Sequence, residues 1–150
     1  MAFSEDSKFT LEVLNRVLAA ESQSGVKSLS VLEITIFYAN HFDYEEQNGG
    51  LSQFFYNCDC SPAFVEHTAS ALVTIGAPRT AEVVRGAASL FFHRPEGNLG
   101  STWGDYKKAV DPEDRLKQYD SQLPVEDEDI DSLLECFILK NRHALQKRPP

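Results

Sequence analysis

Apolar residues recur at helical spacing near the start of the chain. The stripe consists of Leu11, Leu14, Val17 and Leu18. Steps of three and four residues place these side chains on one face of a helix. Ser7 or Thr10 can cap the first turn, because a hydroxyl oxygen accepts a hydrogen bond from a backbone N–H that has no partner within the helix. We therefore predict a helix over about residues 8–22.

A second helix is predicted to begin after Ser30. Ser30 and Glu33 have the spacing of a capping box, in which each side chain binds the backbone N–H of the other residue. The following apolar run would also suit a buried strand, but the cap and the continuing spacing through Phe42 favour a mostly buried helix. That run consists of Val31, Leu32, Ile34, Ile36, Phe37 and Tyr38. We expect a turn at the Asn-Gly-Gly sequence of residues 48–50, since Asn and Gly adopt positive φ at little steric cost.

Serine, proline and glycine mark the ends of the third predicted helix. Ser61 is suited to the cap position and Pro62 to the first helical position, where its missing N–H does no harm. The helix is predicted to run to Ile75, with Gly76 as a left-handed C-cap.

The fourth predicted helix starts at Pro78. One side of it carries Ala81, Val84, Ala88 and Phe91. Pro95 and the glycines at 97, 100 and 104 disfavour any continuation, so residues 93–110 are predicted to form a loop.

Two further helices are predicted in the C-terminal part. Asp111 and Pro112 have the types expected of a cap and a first helical residue. The last helix follows the acids at 126–129 and has the clearest period in the chain. Its stripe consists of Ile130, Leu133, Leu134, Phe137 and Ile138, which must face a core. The pattern therefore predicts a single all-α domain over residues 1–150, a bundle of about six or seven helices.

Length and composition are consistent with that fold and narrow the function. The chain has 150 residues, 42% of them apolar, and a formal net charge of -9. This charge argues against a protein that binds nucleic acid directly by neutralising phosphates. No apolar run approaches the roughly eighteen residues that would span a bilayer, and Glu5 and Asp6 stand where a signal peptide carries basic residues. We expect a soluble, cytoplasmic protein.

The acids are concentrated in one segment. Residues 111–135 contain ten acidic and two basic residues, and a smaller group consists of Asp43, Glu45 and Glu46. Acids 126–129 can also stabilise the start of the last helix through its macrodipole, and a charged face that only keeps a domain soluble is common. A solvated face and a face that binds a partner therefore both remain open, and the sequence does not place the two groups together.

The sequence offers no pattern typical of an active site or a metal site. Cys58 and Cys60 are separated by one residue, which fits neither the usual zinc spacing nor a redox pair, so a packing or turn role is favoured. The histidines have no motif partner, and no nucleophile elbow or phosphate-binding loop is present. Three cysteines in a chain of this length do not suggest a disulfide framework. We predict no metal, no cofactor and no enzymatic activity.

One motif, at residues 48–57, is dense in aromatic and amide side chains. It consists of Asn48, Gly49, Gly50, Leu51, Ser52, Gln53, Phe54, Phe55, Tyr56 and Asn57. The structural interpretation is that Phe54 and Phe55 anchor a tight helical corner, while Asn48, Gln53 and Asn57 bind backbone groups left free at the turn. The alternative is a small ligand pocket built on Gln53, Tyr56, Asn57 and His67.

This motif resembles one in a known family. Together with the sequence of residues 71–81 and the acidic and apolar pattern of residues 119–138, it is similar to a family of small acidic helical proteins typified by a bacterial DNA-mimic protein and long catalogued as a domain of unknown function. The resemblance covers about residues 30–143. It implies an all-α fold and an acidic surface that imitates the phosphates of duplex DNA.

The resemblance also implies a partner, namely the basic DNA-binding surface of a helix-turn-helix regulator. The mimic residues would be Asp111, Glu113, Asp114, Asp120, Glu126, Asp127, Glu128, Asp129 and Asp131, joined by Asp43, Glu45 and Glu46. An immunity protein that neutralises a basic toxin is the alternative, and a homodimer stays open.

Overall fold

The computed structural model describes residues 2–91 and 102–146. Over these residues the chain forms helices and no strand, so the all-α prediction is confirmed. The helices are α1 (Glu5–Ser24), α2 (Val31–Asn57), α3 (Pro62–Ile75), α4 (Pro78–Ala88), α5 (Trp103–Val110), α6 (Leu116–Asp120), α7 (Ile130–Lys140) and α8 (Arg142–Gln146), with a 3-10 turn at Val26–Ser28. Among the described residues, every helix is too short or too polar to span a bilayer.

The first helix is confirmed, but it begins earlier than predicted. Its cap is Ser4, whose hydroxyl oxygen accepts the N–H of Ser7 at 3.1 Å. Ser7 and Thr10 lie inside the helix, so their prediction as cap residues is wrong. Ser4 is the cap because it directly precedes Glu5 and Asp6, two acids that stabilise the first turn of a helix.

The capping box at the start of α2 is confirmed. The Glu33 N–H donates to the Ser30 hydroxyl at 3.3 Å, and the Ser30 N–H donates to the Glu33 carboxylate at 3.0 Å. The predicted interruption at residues 48–50 is a kink and not an open turn. Gly49 and Gly50 leave helical geometry, with φ of +66° at Gly50, and the helix resumes at Leu51.

The predicted limits of α3 and the predicted start of α4 are confirmed, but α4 ends at Ala88 and not after Phe91. The Ser61 hydroxyl accepts the Phe64 N–H at 3.3 Å, and Gly76 ends α3 in the left-handed conformation with φ of 104°. The predicted apolar side of α4 is buried, as is Phe91.

Residues 103–110 form α5, so the prediction of a loop over this part is wrong. Residues 93–101 of that prediction lie outside the described residues. Gly104 stands in the first turn, where the cost of about 1 kcal/mol for glycine in a helix is offset by aromatic packing. The rings of Trp103 and Tyr106 lie 5.7 and 6.3 Å from Phe91. The Trp103 indole N–H donates to Ser52 at 2.7 Å.

The predicted helix start at Asp111 and Pro112 is also wrong. The next helix, α6, begins at Leu116. Asp111 is buried and accepts the N–H groups of Arg115 at 2.8 Å and Leu116 at 2.9 Å. Its carboxylate therefore serves the helix start from four residues away, across a turn, and not as the adjacent cap.

The core is built around α2, which packs against α1, α3, α4, α6 and α7. Phe42 lies before the kink and Phe54 and Phe55 after it, and all three are buried. The kink therefore allows both halves of α2 to face one core. The stripe predicted for α7 is confirmed, because Ile130, Leu134 and Ile138 are buried against α2 and its neighbours.

Candidate functional site: an acidic cleft

A cleft of about 300 Å³ lies where α2 faces the segment before α7. We call it the acidic cleft. Its lining residues are Phe42, Asp43, Glu46, Gln47, Thr80, Leu123, Pro124, Val125, Glu128, Asp129 and Ile130. Asp43, Glu46 and Gln47 follow one another at steps of three and one along α2, which places them on one face of the helix. The cleft thus joins the small acidic group of α2 to the large acidic segment, a meeting that the sequence did not reveal.

The carboxylates at the cleft act on one another. Burial raises the pKa of Asp43, and the negative charges of Asp131 and Asp129 raise it further, against a hydrogen bond from Gln47 that lowers it. Burial also raises the pKa of Glu46, with added repulsion from Asp43 and Asp120. We call Asp43, Glu46, Asp120, Asp129 and Asp131 the cleft carboxylates. Asp43, Glu46 and Asp129 line the cleft, and Asp120 of α6 and Asp131 of α7 lie close enough for their charges to act on it.

Within residues 2–91 and 102–146, no lysine or arginine forms an ion pair with the cleft carboxylates. Among the described residues, the lysines and arginines that form ion pairs have other acidic partners. Asp129 accepts a hydrogen bond from the Ser132 hydroxyl at 2.6 Å, and Asp120 accepts the Leu51 N–H at 2.9 Å. Both partners are uncharged. The negative field at the cleft therefore reaches solvent.

A second hollow adjoins the acidic cleft and is also lined by acidic residues. It measures about 410 Å³ and shares Pro124, Val125, Glu128 and Asp129 with the cleft. Asp127 lines this hollow and is exposed. Glu126, the residue before it in the sequence, is also exposed. These two predicted site residues extend the acidic surface.

Glu128 does not belong to that exposed surface, although it was predicted with its neighbours. Its side chain is 4% exposed and accepts the N–H groups of Arg79 and Thr80 at 2.9 and 2.7 Å. The Thr80 hydroxyl donates to it at 2.6 Å, and the Arg79 guanidinium contacts it at 3.4 Å. Burial acts to raise the pKa of Glu128, but these hydrogen bonds outweigh it and hold the pKa below its ordinary value.

This arrangement has a local reason in α4. Ala77 at the cap position of α4 has no side chain able to accept a hydrogen bond, so the first N–H groups of the helix need an acceptor from elsewhere. Glu128 supplies it, and its charge also suits the positive end of the helix. Glu128 is thus a structural carboxylate that ties the segment before α7 to α4.

Glu45 is also structural. It is buried on α2, and one carboxylate oxygen accepts the side-chain amides of Gln53 at 2.7 Å and Asn57 at 2.6 Å. The prediction that Gln53 and Asn57 bind free backbone groups is therefore wrong. The kink turns the second half of α2 back toward Glu45, so these amides donate to its carboxylate and not to backbone carbonyls. His41 lies 3.8 Å from the other oxygen, and burial lowers the pKa of His41.

The remaining predicted acids lie in the turn before α6. Asp111 is buried on backbone N–H groups, and Asp114 forms an ion pair with Lys107 at 2.8 Å. Glu113 is exposed. Asp111 and Asp114 are therefore not free carboxylates. Asp111 binds the N–H groups at the start of α6, and Asp114 is paired with a lysine of α5.

The structural interpretation of the 48–57 motif is confirmed in its main part. Phe54 and Phe55 are fully buried, and the Asn48 amide donates to the Tyr44 carbonyl at 2.6 Å. Tyr56 is exposed and its ring lies 6.0 Å from that of Trp103. Gly50 is required at the kink, because a Cβ atom there would lie 3.0 Å from the Asp120 carboxylate in a backbone conformation that favours glycine.

Two of the four side chains of the ligand-pocket alternative are taken up by internal hydrogen bonds, and a third stacks on a neighbouring ring. Gln53 and Asn57 are bound to Glu45, and His67 stacks on Tyr38 with ring centroids 5.2 Å apart. The thiols of Cys58 and Cys60 are buried and lie 3.7 Å from the Phe55 carbonyl, which agrees with a turn role. Within the described ranges, no three His, Cys, Asp or Glu residues are grouped so as to hold a metal ion.

Sequence reasoning missed the uncharged residues of the acidic cleft. We call Phe42, Leu123, Pro124, Val125 and Ile130 its apolar wall. Gln47 could have been found from its position one turn from Asp43 on α2. The residues at 123–125 lie in a segment with no helical period, so no pattern could assign them.

The fold and this cleft define a small acidic all-helical protein in which carboxylates of α2 and of the segment that leads into α7 meet at one concave surface. The chain belongs to the family described as DMP19-like protein, which matches residues 27–141. This range agrees with the extent of the resemblance seen in the sequence. Comparison with curated proteins and with solved structures gave no match.

Proposed function

We propose that this protein is a non-enzymatic DNA mimic, which binds the basic surface of a DNA-binding regulator through the acidic cleft and the adjoining acids Glu126 and Asp127. The observation that carries the proposal is the meeting of Asp43, Glu46, Asp120, Asp129 and Asp131 without an internal cationic partner among the described residues. Membership of the DMP19-like family supports it.

The physical basis is the field of these carboxylates. Close negative charges attract a basic surface over several ångströms, steer its approach and are screened by salt, as phosphates are. Burial raises the pKa values of Asp43 and Glu46, and repulsion from neighbouring acids adds to it. A cationic partner would offset that repulsion. Binding should therefore stabilise the ionised form of both groups.

The proposal is tested by competition with DNA. Purified helix-turn-helix regulators are each bound to a fluorescein-labelled operator duplex, and the protein is titrated in while anisotropy is recorded. We expect it to displace DNA from at least one regulator, with an affinity for that regulator that falls about tenfold or more between 50 and 200 mM salt. Failure to displace any DNA, or displacement that does not respond to salt, would contradict the proposal.

A matched pair of variants locates the surface. Asp129→Asn with Asp131→Asn removes two charges at the cleft, and Glu12→Gln with Asp105→Asn removes two exposed charges elsewhere. We expect the first pair to weaken displacement about fivefold to tenfold, since exposed charge pairs contribute about 0.2–1 kcal/mol each. The second pair should have a much smaller effect. Equal effects would show that only net charge matters.

An immunity role is the second candidate, and the apolar wall beside the carboxylates favours it. Inhibitors that bind a toxin tightly use a central apolar contact surrounded by charge, and the acidic cleft offers both. Capture on immobilised protein followed by mass spectrometry separates the two functions. A nuclease or other toxin that the protein inhibits would support this candidate, whereas a transcription regulator would support DNA mimicry.

A further inference from the structure

The size of the acidic cleft limits what can enter it. The cleft has a volume of about 300 Å³, which leaves room for one long side chain of a partner.

The lining has two unlike parts. Leu123, Val125 and Ile130 of the apolar wall offer carbon surface, and Asp43, Glu46 and Asp129 offer carboxylate oxygens in the same cavity. A side chain that fills it must combine an aliphatic stem with a cationic end. Lysine and arginine both do so, because their methylene groups pack on apolar surface while their charged ends reach polar groups.

Several carboxylates around one cavity favour arginine over lysine. The guanidinium is planar, has five N–H donors and binds carboxylates with two parallel hydrogen bonds, whereas an ammonium is a compact and strongly hydrated charge. Arginine therefore loses less hydration on entering a cavity that has an apolar wall. It can also bind more than one of the three carboxylates at the same time.

We infer that the acidic cleft is a socket for one arginine side chain of the partner, with the stem on the apolar wall and the guanidinium at Asp43, Glu46 and Asp129. The inference rests on the proposed function and specifies it, because it makes recognition depend on the shape of one residue as well as on charge. A regulator that lacks a protruding arginine on its DNA-binding surface would be attracted but not retained.

The test uses two capped alanine-based helical peptides with the same number of charges at the same positions, one with arginine and one with lysine. Each carries a fluorophore and is titrated with the full chain at 50 mM salt. We expect the arginine peptide to bind about fivefold more tightly. In a spectrum of the ¹⁵N-labelled protein, the arginine peptide should shift the amide signals of Gln47, Val125 and Ile130.

Two variants, each with a matched control, test whether the preference for arginine comes from the cleft. Val125→Trp fills the cavity and keeps every carboxylate, and Val73→Trp places the same side chain on an exposed valine of α3. We expect Val125→Trp to bring the ratio of the two affinities close to one, and Val73→Trp to leave it unchanged. Asp43→Asn should also reduce the ratio with almost no change of shape, with Glu12→Gln as its control.

The outcomes separate this inference from the proposed function. Equal binding of both peptides, or an arginine preference that survives in Val125→Trp, would overturn the socket. Displacement of DNA from a regulator would still stand in that case. If neither peptide binds and no regulator loses its DNA, both the inference and the proposed function are overturned.

Discussion

Two pairs of neighbouring acids have opposite roles in this protein. Glu45 and Glu128 are buried and each accepts two or more hydrogen bonds from the chain, whereas Glu46 and Asp129, one residue further along, are less buried and present their carboxylates to the acidic cleft. The hydrogen bonds hold the pKa of Glu128 below its ordinary value, and burial with repulsion raises that of Glu46. The comparison teaches that a carboxylate acts within the fold when it is buried among several donors, and is available to a partner when it is less buried, has few donors and lies beside other carboxylates.

The variant expected to have the largest effect on stability is Glu128→Gln. An amide cannot accept on both sides, so it presents N–H groups to the N–H donors of either Arg79 or Thr80 and leaves them unsatisfied. We expect a loss of about 3 kcal/mol in the free energy of unfolding, measured in urea. Glu126→Gln, the same change at an exposed position two residues earlier, should cost less than about 0.5 kcal/mol. Similar losses in both variants would remove the distinction.

The next test compares Glu45→Ala with Glu46→Ala on adjacent positions of α2. The first change leaves the amides of Gln53 and Asn57 without their acceptor inside the kink, and we expect it to cost about 2 kcal/mol of unfolding free energy. The second removes a charge that is repelled by its neighbours and should cost little. If Glu46→Ala proved the more damaging variant, our assignment of structural and available carboxylates on α2 would be reversed.

The smallest expected effect depends on pH. The pKa values of Asp43 and Glu46 are raised in the folded protein, so their ionised forms oppose folding at neutral pH. This opposition disappears as the pH falls through the raised values, because the folded state then binds more protons than the unfolded state. Asp43→Asn with Glu46→Gln should be more stable than the natural chain at pH 7 by a few tenths of a kcal/mol.

That advantage should shrink as the pH falls toward 4.5, the ordinary glutamate value. The depressed pKa of Glu128 works in the opposite direction, since its contribution is lost as the pH falls through its folded-state pKa. It is present in both chains and cancels in the difference. Urea denaturation at several pH values measures that difference, with Glu12→Gln as the control. An advantage that grows on acidification would contradict the raised pKa values.

Local signals in the sequence were reliable where a helix end depends on residues close in the chain. The capping box of Ser30 and Glu33, the Ser61 cap and the left-handed Gly76 were all predicted correctly. Prediction was wrong where distant packing outweighed local preference. Trp103 and Tyr106 on Phe91 make α5 a helix despite Gly104, and Asp111 serves α6 across a turn.

The sequence by itself determined the helical class, several helix ends, the family and the excess of negative charge, because periodicity, caps and composition are properties of short stretches of chain. Only the tertiary structure decided which acids are exposed. Thr80 and the amides of Gln53 and Asn57 lie 48, 8 and 12 residues from the carboxylates they bind. Whether a carboxylate lies beside a donor or beside another carboxylate depends on how the helices pack. The pattern of residues close in the sequence does not encode contacts between residues so far apart in the chain.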